Sequence, residues 1–573
     1  MNLKINPVQS QLKFDLPTAF DVETDEKDNF VGVAFCQSND YVEYYSVFPS
    51  SVPYTKLIGH NVKGDWHWME KWGIKIPSEN IYVDTMIMSY VLNSTKDSHG
   101  LKQIGKEFLN LEWPKYKEMT HVVEQRIKGK KNPKVVEVRV KKTLNQLPVE
   151  DVANYCGCDA WATFRVYKYL ISRLSPTQLS IVYNLEMPIL KLLFKMENQG
   201  LIIDTTYLGV LDEKFSKELK ALREQLETFG QQTGLFQDTP FNPASPVQVV
   251  KLAKSRGLDI KSSDKKTLEP LKEEPFIKTL VAWRGVSKLY TGYIKRFKGL
   301  HTLPRVYPVF SQVSVDEDAD TWKGIRTGRL SSDYHNIPRR SENGSLLRKL
   351  FVAQEGEAII CGDYSQIEYR LLAHFTKEPL LLQAFKDNKD VHAETAKLFG
   401  SDDRELGKTL NFAAIYGAQT KKIAFTAKIT EQKAQELLDI YWRSLRRVTT
   451  WISRVKFEAR QKCGVRTMCG RWIPIPNITS PNPYERWSAE RQAVNYIIQG
   501  SAADIIKYAM LGVSSRGFMP ILQVHDELLF NVKTEEVKKV MQEIKEIMEN
   551  AIKLEVPLSV DIGYGSTWEE AKG

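Results

Sequence analysis

Ala358-Ile359-Ile360-Cys361-Gly362-Asp363-Tyr364-Ser365-Gln366-Ile367-Glu368 is the stretch from which the rest of the chain can be read. The run before Asp363 is short and apolar, as a buried strand requires, and it delivers Asp363 at its end. Far downstream, Ile521-Leu522-Gln523-Val524 and Leu528-Leu529-Phe530 flank His525-Asp526-Glu527, a pattern that predicts a hairpin with a polar tip. Each acid by itself reads as a solvated turn. Two strand-borne carboxylates, however, can meet in space, and a pair of Mg2+ ions held roughly 3.5–4 Å apart by such groups drives in-line phosphoryl displacement. Magnesium accepts carboxylate, carbonyl and water ligands.

Between the two acids lies a helix-like segment. Arg404, Lys408, Phe412 and Tyr416 recur every four residues, so a helix of 3.6 residues per turn sets them along one slowly drifting face. Guanidinium and ammonium groups suit the charged end of a triphosphate, and aromatic rings suit its sugar and base. Alone, the segment reads as an amphipathic surface helix with its rings on the core. Flanked by the two carboxylates, it has the layout of a nucleoside triphosphate site.

Together these segments resemble the polymerase domain of family A DNA polymerases, the group that includes the large fragment of bacterial DNA polymerase I, over residues from about 185 to 573. Asp363 to Glu368 fits the family's first catalytic motif, Arg404 to Gly417 its nucleotide-binding helix, and Gln523 to Glu527 its third motif. The resemblance implies that Asp363, Tyr364 and Asp526 hold the polymerase metals, with Glu527 and Lys408 joining Asp363 and Asp526 in the catalytic set. It implies a dNTP pocket of Arg404, Lys408, Phe412, Tyr416, His392, Gln366 and Glu368. There Tyr416 marks the insertion site, His392 contacts phosphate, and Glu368 is a steric gate that selects against a ribose 2′-hydroxyl by clash. Phe412 stands where some relatives carry tyrosine, which implies discrimination against dideoxynucleotides. Thr327 to Ser332 matches the family's template-primer segment, with Arg329 placed to probe the minor groove, where correct pairs present similar acceptors. Arg491, Asn495, Gln499 and His525 complete the implied DNA-binding set. Mg2+ is the implied cofactor, with Mn2+ as a substitute.

The first third carries a second chemistry. Asp21 and Glu23 alternate along Ala19 to Thr24, so a strand would project both from one face. Gly59-His60-Asn61 leads to Asp65, and Tyr155 precedes Asp159 by one helical turn. The set resembles the 3′–5′ exonuclease of the DEDD nucleases with tyrosine in the last motif. By that resemblance Asp21, Glu23, Asp65 and Asp159 ligate metals, Tyr155 orients the attacking water, and Asp84 fits a further acidic position. A hydrolytic site beside a synthetic one follows the logic of editing.

Length agrees with more than one core. The expected division is 1–178 for the exonuclease and 179–573 for the polymerase, with a thumb at about 205–300 and fingers at about 380–500. By resemblance the fold class is an RNase H-like α/β domain followed by an α+β right hand with an antiparallel palm sheet. The net charge of +10 favours phosphate backbones through counterion release. The most basic stretch, Arg126 to Lys142, alternates Val136, Val138 and Val140 with Glu137, Arg139 and Lys141; it predicts a protruding hairpin, with DNA favoured over bulk solvent as its contact. Phe241 to Pro246 reads as a turn before a helix.

Six cysteines, at 36, 156, 158, 361, 463 and 469, form no paired CxxC pattern and point away from a disulfide framework. The N-terminus lacks the apolar core of a signal peptide, and no stretch suits a bilayer span. The expectation is a cytoplasmic monomer in a bacterial or phage-infected cell, with an organelle left open. Primer-template DNA and dNTPs are the expected partners, replisome proteins further ones. Thioredoxin is not expected, since the thumb is short, and no 5′ nuclease precedes the exonuclease motifs. Two rivals compete. A single-subunit RNA polymerase conflicts with Glu368 and the exonuclease set, and a nuclease with a merely gripping C-terminal half leaves both palm aspartates and the cationic stripe unexplained.

Overall fold

Two sheets organise the molecule, seen in a computed structural model that describes residues 1–573 apart from 8, 48–51, 129–133, 237–239, 314–324, 340, 418–419 and 573. The first is a mixed six-stranded sheet in the order Asn2–Ile5, Tyr41–Tyr45, Phe30–Cys36, Thr18–Thr24, Leu57–Gly59, Ile81–Asp84. Thr18–Thr24 pairs antiparallel with Phe30–Cys36 and parallel with Leu57–Gly59. Helix Val149–Arg173 covers both central strands. Ala19, Phe20 and Val22 are buried, while Asp21 and Glu23 keep partial exposure on the alternate positions expected of a strand.

The second sheet is antiparallel and four-stranded, ordered Pro520–Val524, Glu527–Lys533, Glu357–Tyr364, Val560–Gly565. Ile359, Ile360 and Cys361 fill its centre, as the apolar run predicts. Long helices surround it, including Arg404–Tyr416, Glu431–Ser444, Arg446–Lys462 and Pro483–Ser515. The right-hand α+β architecture and the preceding α/β domain both match the expected fold class.

Among the described residues, three apolar cores form. The smallest joins helix Thr205–Gln232 to Pro246–Ser255 and Pro275–Leu289 through Leu226, Val249, Phe276 and Leu280. Ser245 caps Pro246–Ser255 by accepting from Gln248 N–H, as its sequence predicts. The expected division at 178/179 falls in helix Pro176–Ile181. Beyond it, helix Met187–Gln199 serves both larger cores: Leu190 and Phe194 pack into the first domain's, with Phe194 stacked on Trp66 at 3.6 Å, while Ile189, Leu193 and Met196 pack into the other.

A buried ionic cluster fastens the same joint. Arg471 reaches Glu186 and Asp504, and Lys507 reaches Glu186 at 2.7 Å. Nothing in the sequence spacing announces it.

The basic hairpin forms as predicted: His121–Lys128 pairs antiparallel with Lys134–Lys141, and Lys130 and Lys131 lie outside the described residues. Its base sits against the first sheet, where Lys141 pairs with Glu26 at 2.5 Å. All six cysteines are free. No helix among the described residues is long and apolar enough to cross a membrane.

Candidate active sites

Register brings the two palm acids together. Asp363 lies opposite Glu527, and Val524 opposite Glu527 closes a two-residue turn of His525 and Asp526. His525 takes the left-handed φ of +55° that so tight a reversal demands. Tyr364 N–H donates to the Asp526 carbonyl at 3.1 Å, locking turn to strand. Burial pushes the Asp526 carboxyl up to about 6, with Arg329 opposing and Glu368 and Asp363 adding to the shift. Asp363 is raised as well, by burial first, against Arg339 and Lys572. Its Oδ2 accepts from Arg339, and its Oδ1 is buried with no partner among the described residues. An orphaned, desolvated oxygen between acids is a place for a hard cation, so this donor set fits the implied magnesium.

The rest of the expected metal and catalytic set divides. Tyr364 points its hydroxyl away, donating to the Met548 carbonyl at 2.6 Å, which leaves only its main-chain carbonyl for a ligand. Glu527 is buried and engaged by Trp568 Nε1 at 2.5 Å and by the Lys572 ammonium. Glu368, in the first turn of helix Ile367–Thr376, accepts from Arg329 at 2.8 Å.

The cationic stripe is a helix as predicted, Arg404–Tyr416, capped by Asp403. Arg404 donates twice to Asp390 Oδ2, at 2.8 and 3.1 Å, and Gln366 Nε2 reaches the same oxygen at 3.2 Å. One carboxylate thereby ties the stripe to the segment following Asp363. Lys408 is half-buried near Glu405 at 3.4 Å. Phe412 is exposed and meets Tyr369 edge-on at 5.8 Å. The Tyr416 side chain lies outside the described part of the structure. His392, on the adjoining helix Val391–Lys397, is only 4 % exposed and shares a hydrogen bond with Asn411. Burial lowers its imidazole to about 4, so it offers a neutral hydrogen bond, not a charge. The two helices touch at Gly407, where a Cβ would stand 2.0 Å from the His392 carbonyl oxygen.

Arg491, Asn495 and Gln499 follow one another at helical spacing along Pro483–Ser515, all half-buried. Asn495 Oδ1 is buried with no partner among the described residues. His525 stacks on His335 at 5.4 Å, and His335 Nε2 meets the Gln523 carbonyl at 2.9 Å.

The second cluster assembles between a central strand of the mixed sheet and the helices beside it. Asp21 and Glu23 come from Thr18–Thr24, Asp65 from the first turn of Val62–Lys71, and Tyr155 and Asp159 from Val149–Arg173. Burial and then Asp159 raise Asp21 well above the carboxylate range; burial, Asp21 and Asp159 do the same to Glu23, and burial with Asp21 to Asp65. Crowded, desolvated carboxylates call for a cation. Burial, followed by Asp159, raises the Tyr155 phenol far above its usual value, so it stays protonated and donates. Asp84 plays a structural part: it accepts from Asn61, Val62 and Met86 N–H groups at 3.1, 2.9 and 2.8 Å, fixing the entry to two helices. Cys156 lies within 4.8 Å of Asp21 and Glu23, yet burial and the acids keep its thiol protonated.

Sequence reasoning missed four residues at these sites. Lys102 pairs with Asp159 and stands 4.5 Å from both the Trp113 and Tyr155 rings. Trp113 Nε1 donates to Asp159. Arg339 and Lys572 occupy the palm site as described.

Comparison with known proteins fits this geometry. Residues 206–570 match the family model described as DNA polymerase family A, and residues 17–175 match the one described as 3′–5′ exonuclease. The chain is 31% identical to DNA polymerase I of Synechocystis sp. (97% of this chain, 60% of the relative) and 31% identical to that of Pseudomonas aeruginosa (90% and 56%). It is 34% identical to the thermostable DNA polymerase I of Thermus filiformis (71% and 50%). It thus spans about half to three-fifths of the length of these curated relatives. Among solved structures, the POL domain of Pol1 from M. smegmatis, in complex with DNA primer-template and dNTP, superposes with a TM-score of 0.79 at 25% identity, covering 97% of this chain and 96% of that one. The polymerase match alone takes in well over half of the sequence, and the chain belongs to DNA polymerase family A.

Proposed function

We propose that the chain is a DNA-templated DNA polymerase that extends a primer 3′-hydroxyl with dNTPs and proofreads through its 3′–5′ exonuclease domain, in DNA replication or repair. The observation that carries this reading is the register that sets Asp363 beside the Asp526 turn, with the Arg404 helix tethered to the same segment through Asp390. Residues 1–178 form the exonuclease domain and 179–573 the polymerase domain. Primer-template DNA and dNTPs are its partners, as in the M. smegmatis complex, with replisome proteins as further partners of a monomer. The bacterial relatives support a cytoplasmic setting.

The primer hydroxyl attacks the α-phosphorus and pyrophosphate leaves. Asp363, Asp526 and the Tyr364 carbonyl would hold divalent ions, Mg2+ or Mn2+, which would supply activation of the attacking oxygen and stabilisation of charge at phosphorus. Arg404 exchanges Asp390 for the triphosphate, Lys408 adds a second cation, and His392 gives a neutral hydrogen bond. Glu368 fills the space a 2′-hydroxyl would need. Gln366, Phe412 and Tyr416 shape the sugar and base pocket, while Arg329, Arg491, Asn495, Gln499 and His525 hold the duplex. In the exonuclease, Asp21, Glu23, Asp65 and Asp159 would hold the ions, and the Tyr155 hydroxyl orients the attacking water.

Extension of a labelled primer on a longer template with Mg2+, with all four dNTPs and with none, tests the reading. Longer products with dNTPs and shortened ones without are expected. Shortening under both conditions would make the C-terminal half a binding platform.

A further inference from the structure

Tyr90 lies on helix Thr85–Leu92, within the exonuclease match, yet its hydroxyl serves the polymerase half. It donates to the Ile325 carbonyl at 2.6 Å and accepts from Gly328 N–H at 3.0 Å, and the residue is 1 % exposed. Gly328 has φ +80°, and a Cβ there would stand 2.7 Å from Arg471 Nε. Arg471 is in turn held by Asp504 and Glu186. The backbone immediately before Arg329 is thus gripped by the Tyr90 hydroxyl on one side and walled by a fixed guanidinium on the other. Arg329 itself ends on Glu368 at 2.8 Å.

We propose that Tyr90 is a positioning residue for the polymerase: through one hydroxyl, the exonuclease domain fixes where Arg329 stands relative to the primer terminus and Glu368. The inference rests on the polymerase reading above. Gly328 has the most conformational freedom of any residue type, so its orientation depends on what bonds its amide. Removing the hydroxyl leaves the buried Gly328 N–H and the part-buried Ile325 C=O without this partner. The ring keeps its edge contact with His99 at 5.6 Å, so Tyr90→Phe subtracts the hydrogen bonds and leaves the packing.

The test compares the full-length wild type, Tyr90→Phe, Arg329→Ala and the double variant. Two readouts are needed: kcat/KM for adding one correct dNTP to a primer-template, and hydrolysis of a single-stranded oligonucleotide. Tyr90→Phe is expected to lower extension about 5-fold, the low end of the scale for the two hydrogen bonds of one hydroxyl, and to leave single-strand hydrolysis unchanged. Because Tyr90 acts through Arg329, the double variant should extend no more slowly than Arg329→Ala alone. Wild-type extension by Tyr90→Phe, losses that add in the double variant, or an equal fall in single-strand hydrolysis would each overturn the inference. A wild type that hydrolyses but never extends would instead remove the polymerase reading on which it stands.

Discussion

Lys507 donates to both carboxylate oxygens of Glu186, at 2.7 and 2.8 Å, across 321 positions of sequence. Glu186 ends the turn Val182–Glu186 at the joint, and Lys507 belongs to Pro483–Ser515. With Arg471 and Gln312 also on Glu186, the two halves are bolted rather than linked. Burial would raise Glu186, but Lys507 and Arg471 outweigh it and hold the carboxyl at about 2. Glu186→Gln strands the buried Lys507 and leaves Arg471 with Asp504 alone, and should cost about 3–5 kcal/mol, read as a shifted denaturation midpoint. A carboxyl held below its ordinary 4.5 contributes fully above that pH and loses its contribution as pH falls towards about 2. The stability gap between wild type and variant should therefore be constant from neutral pH down to about 5 and close below it.

The two active sites should fail separately. Asp526→Ala should lower extension by about 10^2–10^3-fold or more, the scale for losing one group that stabilises transition-state charge, and leave single-strand digestion intact. Asp21→Ala should do the reverse. Parallel assays on one primer check both.

Metal removal should expose the crowding of the exonuclease acids. Burial and mutual repulsion raise Asp21, Glu23 and Asp65 together, so relieving one charge should stabilise the metal-free protein. Asp21→Asn is expected to melt roughly 2 °C higher than wild type in a chelator, and to gain less from added Mg2+. Paired thermal scans with and without the cation measure this.

Glu368 is half-buried and anchors Arg329, and in the proposed function it also fills the space of a 2′-hydroxyl. Glu368→Ala should relax discrimination against ribonucleotides by about 10- to 100-fold, matching the roughly 1–3 kcal/mol of a relieved steric conflict. Mismatched primer ends should also be extended more readily, because Arg329 is released. Single-nucleotide kinetics with rNTP, dNTP and a mismatched terminus separate the two effects.

The basic hairpin predicts a salt signature. Changing Arg126, Lys128, Lys134 and Arg139 to Ser should weaken binding of single-stranded DNA and flatten its dependence on salt, by about one in slope for each phosphate no longer neutralised. Titrations at several salt concentrations show the change; an unaltered slope would assign the hairpin to solvent.

Much of this was legible in the sequence because strands and helices print their period. The apolar run before Asp363, the polar tip at His525 to Glu527, the four-residue recurrence from Arg404 and the alternation of Asp21 with Glu23 each gave element and face at once. The cations that meet those acids left no such print. Lys102, Arg339 and Lys572 are single charges in ordinary surroundings, and only tertiary packing brings them to Asp159, Asp363 and Glu527. The joint was hidden for the same reason, since Glu186, Arg471, Asp504 and Lys507 come from three separated segments. Side-chain direction was a further blind spot: Tyr364 reads as a site residue, yet its hydroxyl turns to Met548.

The bare approach of Gly407 to the His392 carbonyl bears on motion. With no side chain between them, helices Val391–Lys397 and Arg404–Tyr416 have no play along their seam, and sliding one past the other would drive backbone into backbone. A swing of this region over a nucleotide must carry both helices as a single lever. The hinge then lies outside the pair, and the place where such a swing is felt is the Asp390 carboxylate, whose hold on Gln366 is the tether that stretches first.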